Sequence, residues 1–442
     1  MVPGDASQMK LGGGREYMDT NEHKKLYFPA ILLVLGIVLL GGCGQYKCGV
    51  TFGSSSCTSS GSGLGTTGSV SGKVAFVYNI VDAGTINGVS LTVGTGAGLQ
   101  NISGFTPPTV PSGDNSAEIV VVPKKFVYAV FPAAHQLFAW SINSSNGALV
   151  AVSGSPYAIP SLGNVIPNFN GVNLASVAVN PAGTFLFIAY ASSAQIDVYK
   201  IDTTGALTQV SGAPFSTGAF APWNLAFDGL GKYLYSTTGS EGLGQQVAAY
   251  SISSSGALTA VSGSPFTFNM WELQGDPSGK YMIGISGRSS AFNGLADDKS
   301  LYVFSIQQSG ANAGALTQVS GSPFATMFTP INLAVQPVAS NGNFVYSFSG
   351  TSGGFNPIEG YQLDANSGAL TAMSTSPFAN IGTSPWGQFD QSGAYLFIFA
   401  VDSNNVSLGV LSVASGTGNL TEPLGPMPLA STTTYFTVTD TP

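Results

Sequence analysis

Charge is what this chain of 442 residues has least of: charged side chains make up 8% of it, with 13 Lys and Arg against 21 Asp and Glu. Binding nucleic acid requires clustered cations around the phosphates, so this scarcity and a net charge of −8 exclude that class of partner. Histidine occurs only twice and cysteine three times. Two of those cysteines, with no histidine near them, make a poor zinc set, so no metal is assigned and no cofactor is expected. No sustained helical period appears after residue 45. The one long apolar run, from Leu26 to Leu40, is shorter than the ~20 residues that a membrane-spanning helix needs.

Glycine and apolar residues fill the gap: 58 glycines and 44% hydrophobic residues describe a chain that buries a large core and turns tightly. One phrase is written five times almost unchanged, at Gly147–Tyr157, Gly205–Phe215, Gly256–Phe266, Gly314–Phe324 and Gly368–Phe378, with looser copies starting at Gly98 and Gly418. The spacing, about 50 residues, is the size of a four-stranded propeller blade. Seven copies predict an all-β, seven-bladed β-propeller rather than the two or three domains that length alone suggests.

A single blade can be read strand by strand. Ser176–Asn180 alternates, Pro181-Ala-Gly183 turns, Phe185–Tyr190 is apolar, Ile196–Ile201 alternates again and Leu207–Val210 closes the unit. Turns at Asp228, Asp276 and Asp390 follow the same plan, with Asp or Asn to start the turn and Gly to finish it. At the ends, Gly72–Asn79 matches a second strand with no first strand before it, and Thr433–Asp440 matches a first strand with nothing after it. Side by side they complete one blade, so the ring is expected to close by pairing of the N- and C-terminal strands.

The succession of a strand, a Pro-x-Gly turn, an apolar strand, an alternating strand and Gly-Ala-Leu-Thr-x-Val-x-Gly-Ser-Pro-Phe resembles the seven-bladed lactonase-type propellers, relatives of the propeller 6-phosphogluconolactonases, over residues 72–440. The matching residues belong to turns and packing. What the resemblance implies is a lactone-hydrolysing pocket at the mouth of the central channel.

Ahead of the repeats, Lys24 and Lys25 precede the apolar run, which ends in Leu40-Gly-Gly-Cys43, a pattern that resembles a bacterial lipobox. Residues 1–42 are therefore expected to be a signal peptide, with Cys43 carrying lipid. Gln45 in place of an aspartate resembles signals sorted to the outer membrane. Residues 43–71, rich in Ser, Gly and Thr towards their end, form the expected tether, and 72–442 the propeller. Cys48 and Cys57 either pair across their short loop or remain free thiols. The expected location is the cell envelope, at the outer membrane or facing the periplasm, with a monomer attached to the membrane only through its lipid; the alternative is that the apolar run stays as an uncleaved anchor.

Candidate site residues come from the rim that carries the starts of first strands and the second-to-third connections. His135 lies in such a connection, where it is either a general base for opening a lactone or a solvent-facing loop residue. Glu272 starts a first strand and either shares in acid–base work or is a satisfied polar residue at the channel mouth. Arg288 and Lys299 are the only cations expected on this rim, because Lys73, Lys124, Lys125, Lys232 and Lys280 fall at first-to-second turns and Lys200 ends a third strand. Arg288 is suited to clamping a carboxylate or lactone carbonyl, or to pairing with Asp297 or Asp298. Trp223, Trp271 and Trp386 recur near first-strand starts, either to stack on a flat ligand or to fill the wedge between blades. Two functions remain: a propeller binding a lactone, a sugar-like ligand or an envelope protein, and a lactone hydrolase built on His135, Glu272 and Arg288. A plain structural spacer is the third alternative.

Overall fold

Each repeat folds as one antiparallel sheet, because its short apolar runs are separated by turns that Gly, Asp, Asn and Pro accommodate. The computed structural model describes residues 72–441 apart from 82–83, 95–96, 113–116, 160–174, 191–192, 219–220, 239–245, 288–295, 339–341, 350–356, 381–382, 403–404 and 430–432. The expected signal, Cys43, Cys48, Cys57 and Arg288 lie outside these residues.

Seven sheets are present, each of four main strands, and the described residues contain no helix. Blade 1 pairs Thr433–Asp440 with Gly72–Val81, followed by Thr85–Val93 and Gly98–Asn101. Blades 2 to 7 begin with Glu118–Val122, Ala175–Val179, Pro222–Phe227, Glu272–Gly275, Pro330–Val335 and Thr383–Phe389. These first strands touch one another in cyclic order and form the innermost ring. Closure follows the expectation from the termini. Ala75 to Val81 run antiparallel to Asp440 to Thr433, with Val77 opposite Val438.

The repeated glycines are explained by what lies beneath them. In six copies the glycine sits at positive φ against an aromatic ring of the preceding blade; at Gly256 φ is 88° and an added Cβ would lie 2.6 Å from the ring of Phe185. A tyrosine two positions beyond that ring position often adds a hydrogen bond to the same turn: Tyr78 donates to Gly147 O, Tyr128 to Gly205 O, Tyr235 to Gly314 O and Tyr346 to Gly418 O. Blade is thus joined to blade by packing and by a buried hydroxyl. Gly98 is the exception, since it begins its outer strand and nothing lies within 4 Å of an added Cβ.

The Ser-Pro-Phe ending of the phrase also has a task. After its short fourth strand the chain turns through a cis X-Pro bond. Ser155, Ser264, Ser322 and Ser376 then accept hydrogen bonds from Ala139 N, Ala249 N, Val303 N and Gly360 N in the third strands. Blade 3 has Ala213 at this place, and there Asp197 takes over. Its carboxylate, fully buried, accepts from Val198 N, Tyr199 Oη and Gln209 Nε2. Burial pushes its carboxyl up, against the lowering effect of those three donors.

Candidate functional site

An innermost strand has a free edge, and its outward N–H groups need acceptors. In this ring the acceptor comes from the blade before. Glu118 Oε2 accepts from Val177 N at 2.8 Å, Ser176 Oγ from Leu225 N at 3.3 Å, Asn224 Oδ1 from Leu273 N at 3.3 Å and Asn332 Oδ1 from Gly387 N at 3.2 Å. Glu272 receives a backbone hydrogen bond from Leu333 in the same manner. These five side chains hold one register position: Glu118 faces Val130, Ser176 faces Ala189, Glu272 faces Ile285 and Asn332 faces Phe348 on the second strands. At Asn224 the ladder is bulged, and Thr237 Oγ1 accepts from Asn224 N. Trp386, opposite Phe399, occupies the same register position in blade 7. The upper end of the channel is therefore ringed by Glu118, Ser176, Asn224, Glu272, Asn332 and Trp386.

The two carboxyl groups of this ring differ in setting. Glu272 is buried and accepts from Gln274 Nε2 at 2.9 Å and Asn332 Nδ2 at 3.2 Å, besides the Leu333 amide. Burial nevertheless pushes its carboxyl up to about 7. Glu118 is half-buried and has a single lowering partner, the Val177 amide, so burial pushes it up further, to about 8. Both groups exchange protons near neutrality rather than in the usual carboxylate range.

Of the aromatic candidates, the structure brings two together. Trp223 and Trp271, both half-buried and each five residues before its turn aspartate, have ring centroids 5.0 Å apart at 48°. Thr237 Oγ1 donates to Trp271 O at 3.0 Å and ties this pair to the ring. Trp386 is elsewhere. It lies four residues before Asp390, a step further along its strand, and packs edge-on against Phe399 and Phe436, each at 5.5 Å, between blades 7 and 1.

His135 and Glu272 belong to blades 2 and 5, and no hydrogen bond joins them. His135 closes the turn after Phe131 at φ 54°; its N–H donates to Pro132 O, its C=O accepts from Ile159 N, and its Nδ1 is buried without a partner. Lys299 is exposed on the upper rim, with its C=O accepting from Thr326 N. Its neighbour Asp298 accepts from Ser286 Oγ at 2.6 Å and Tyr302 Oη at 2.9 Å. Among the described residues no group of three or more His, Cys, Asp or Glu is placed to hold a metal ion.

Glu118, Ser176, Asn224 and Asn332 escape a reading based on residue type. The signal that finds five of the six ring residues is spacing: Ser176, Asn224, Glu272, Asn332 and Trp386 each stand four residues before the turn residues Asn180, Asp228, Asp276, Gln336 and Asp390. Blade 2 has a shorter turn at Pro123-Lys124, which removes Glu118 from that count.

No protein-family model matches this sequence, and no curated protein matches it. Solved structures do. A candidate 6-phosphogluconolactonase of Bacteroides fragilis aligns over 85% of this chain and 100% of its own, with TM-score 0.58 and 14% identity. A candidate 6-phosphogluconolactonase of Bacteroides uniformis aligns over 83% and 99%, with TM-score 0.56 and 16% identity. The periplasmic gluconolactonase of Pseudomonas aeruginosa aligns over 84% and 99%, with TM-score 0.53 and 14% identity. The structural neighbours of this chain are 6-phosphogluconolactonase-like proteins, and the seven-bladed β-propeller is the fold it shares with them.

Proposed function

We propose that this protein is an envelope-anchored recognition propeller that binds a sugar or sugar-lactone at the upper mouth of its channel. The observation that carries the reading is the Trp223–Trp271 pair set beside a ring of hydrogen-bonding side chains, Ser176, Asn224, Glu272 and Asn332. Flat aromatic faces next to fixed donors and acceptors suit a polyhydroxylated ring. His135 and Glu272, expected as an acid–base pair, stand on blades 2 and 5 with no hydrogen bond between them.

A second reading, lactone hydrolysis, is favoured by Glu118, whose carboxyl is pushed up to about 8 and whose one hydrogen bond leaves acceptor capacity. In that reading its carboxylate takes a proton from the water whose oxygen adds to the lactone carbonyl, the ring's acyl C–O bond breaks, and the proton passes to the leaving ring oxygen to give the hydroxy acid. Gluconolactone is the first compound to test, by Trp fluorescence and by hydrolysis in the same samples. Quenching without turnover supports recognition. Turnover that is lost in Glu118→Gln and kept in His135→Ala replaces it with the hydrolase.

The anchor is a separate part of the proposal and rests on the lipobox-like Leu40-Gly-Gly-Cys43. Palmitate labelling that disappears in Cys43→Ala supports it, and labelling unchanged by that substitution removes it.

A further inference from the structure

First strands of the propeller run from the upper rim to the lower, so the lower rim carries the first-to-second and third-to-fourth turns. Six of the seven lysines among the described residues lie there, all exposed: Lys73, Lys124, Lys125, Lys200, Lys232 and Lys280. Lys124 and Lys125 form the blade 2 turn, Lys232 and Lys280 directly precede the second strands of blades 4 and 5, and Lys200 lies opposite Phe185, the first residue of its neighbouring strand. The fully exposed carboxylates of this rim, Asp202 and Asp364, are folded back onto their own turns, where they accept from Thr204 and Ala206 and from Asn366 and Ser367. Asp228, Asp276 and Asp390 are buried beneath the turns, and the half-buried Asp440 accepts from Gln391 N. The upper rim carries one lysine among the described residues, Lys299, beside the exposed Asp297 and the half-buried Asp298, while Glu272 and Glu359 are buried there.

A second, independent feature falls on the same face. Gly72 and Lys73 begin the second strand of blade 1 at the lower rim, and Thr441 Oγ1 donates to Lys73 O beside them. The polypeptide that carries the apolar run Leu26–Leu40 and Cys43 therefore joins the propeller among its lysines. Ammonium groups spread around one rim are attracted to anionic headgroups within a Debye length.

We propose that the lower rim is a docking face for anionic lipid headgroups, which seats the ring on the membrane with the channel mouth turned outward. This goes beyond ligand recognition and does not rest on the anchor, because the attraction to the headgroups is that of the lysines themselves.

The test is amine-reactive labelling of the full chain in the presence of phosphatidylglycerol-containing vesicles or of pure phosphatidylcholine vesicles, with each lysine read by mass spectrometry. In the anionic vesicles, labelling of Lys124, Lys125, Lys232 and Lys280 should fall about fivefold, the factor that one basic residue contributes at such a surface. Lys299 should be unaffected, and high salt should abolish the difference. In a variant with Lys124→Gln, Lys125→Gln, Lys232→Gln and Lys280→Gln, protection of Lys73 and Lys200 should also be lost. Equal labelling of the lower-rim lysines in both lipids, or protection of Lys299 to the same degree, overturns the proposal.

Discussion

Asn332 Nδ2 donates to Glu272 Oε2 at 3.2 Å, so two residues at the same register position in successive blades are joined side chain to side chain. Asn332 passes its own oxygen on to Gly387 N. From blade 2 to blade 7 the ring is a relay of acceptors, in which each of blades 2 to 6 satisfies the next one's free edge. A ligand in the channel mouth meets side chains whose positions are already fixed, which lowers the entropic cost of binding.

Protonation of Glu272 makes this relay pH-dependent. Unfolded, the carboxyl releases its proton near its ordinary value of 4.5; folded, burial holds that proton until about 7. Between those values the folded state binds more protons, so this contribution to stability is full below about 4.5 and is lost as pH rises towards about 7. Glu272→Gln removes the titration. Denaturant melts at pH 5 and pH 8 should show the stability difference between variant and parent moving in the variant's favour at the higher pH, by up to about 3 kcal/mol. A difference that stays constant with pH contradicts the assignment.

Gly256→Ala should destabilise the junction of blades 3 and 4 by about 2 kcal/mol or more, because the new methyl group must enter the ring of Phe185 from a backbone at φ 88°. Gly98→Ala, with nothing near its Cβ, should cost less. Thermal melts of the two variants measure the contrast directly.

Asp197 and Ala213 should behave as a compensating pair. Asp197→Ala leaves two buried donors, Val198 N and Tyr199 Oη, and the exposed Gln209 amide without an acceptor and should cost about 3 kcal/mol. Adding Ala213→Ser restores the hydroxyl that caps the third strand in four other blades, and should recover about 1 kcal/mol. The same Ser substitution in the parent should gain nothing, since Val198 N is already bonded. A double-mutant cycle that shows simple additivity excludes the pairing.

The tryptophans should separate by role. Trp223→Ala and Trp271→Ala should each weaken gluconolactone binding about tenfold in calorimetry, with the ring otherwise intact. Trp386→Ala should lower stability by about 3 kcal/mol and leave affinity unchanged, because its ring fills the junction of Phe399 and Phe436.

The number of blades and their closure are legible in the sequence because glycine, proline and aspartate are demanded by backbone geometry, and few other residues replace them. Thr433–Asp440 reads as a first strand for the same reason, since it breaks off where its partner should follow. The channel ring is harder to read. Its register position accepts Glu, Ser, Asn or Trp, because the requirement is an acceptor for a neighbouring amide or, in blade 7, a filled junction. Trp386 looks like a companion of Trp223 and Trp271 until the count back from Asp390 is made, and one residue along a strand redirects its side chain. Asp197 gives no sign of its task, because its cause is an alanine in another segment of the blade.

The pairing of Gly72–Val81 with Thr433–Asp440 also fixes an order of events. The ribosome delivers one partner near the beginning of the propeller and the other at its very end. Throughout synthesis the first blade exposes a bare strand edge, and the ring stays open however well the middle blades have formed. Any machinery that moves or guards the nascent polypeptide handles an unsealed circle, and the last strand to emerge is the one that locks it.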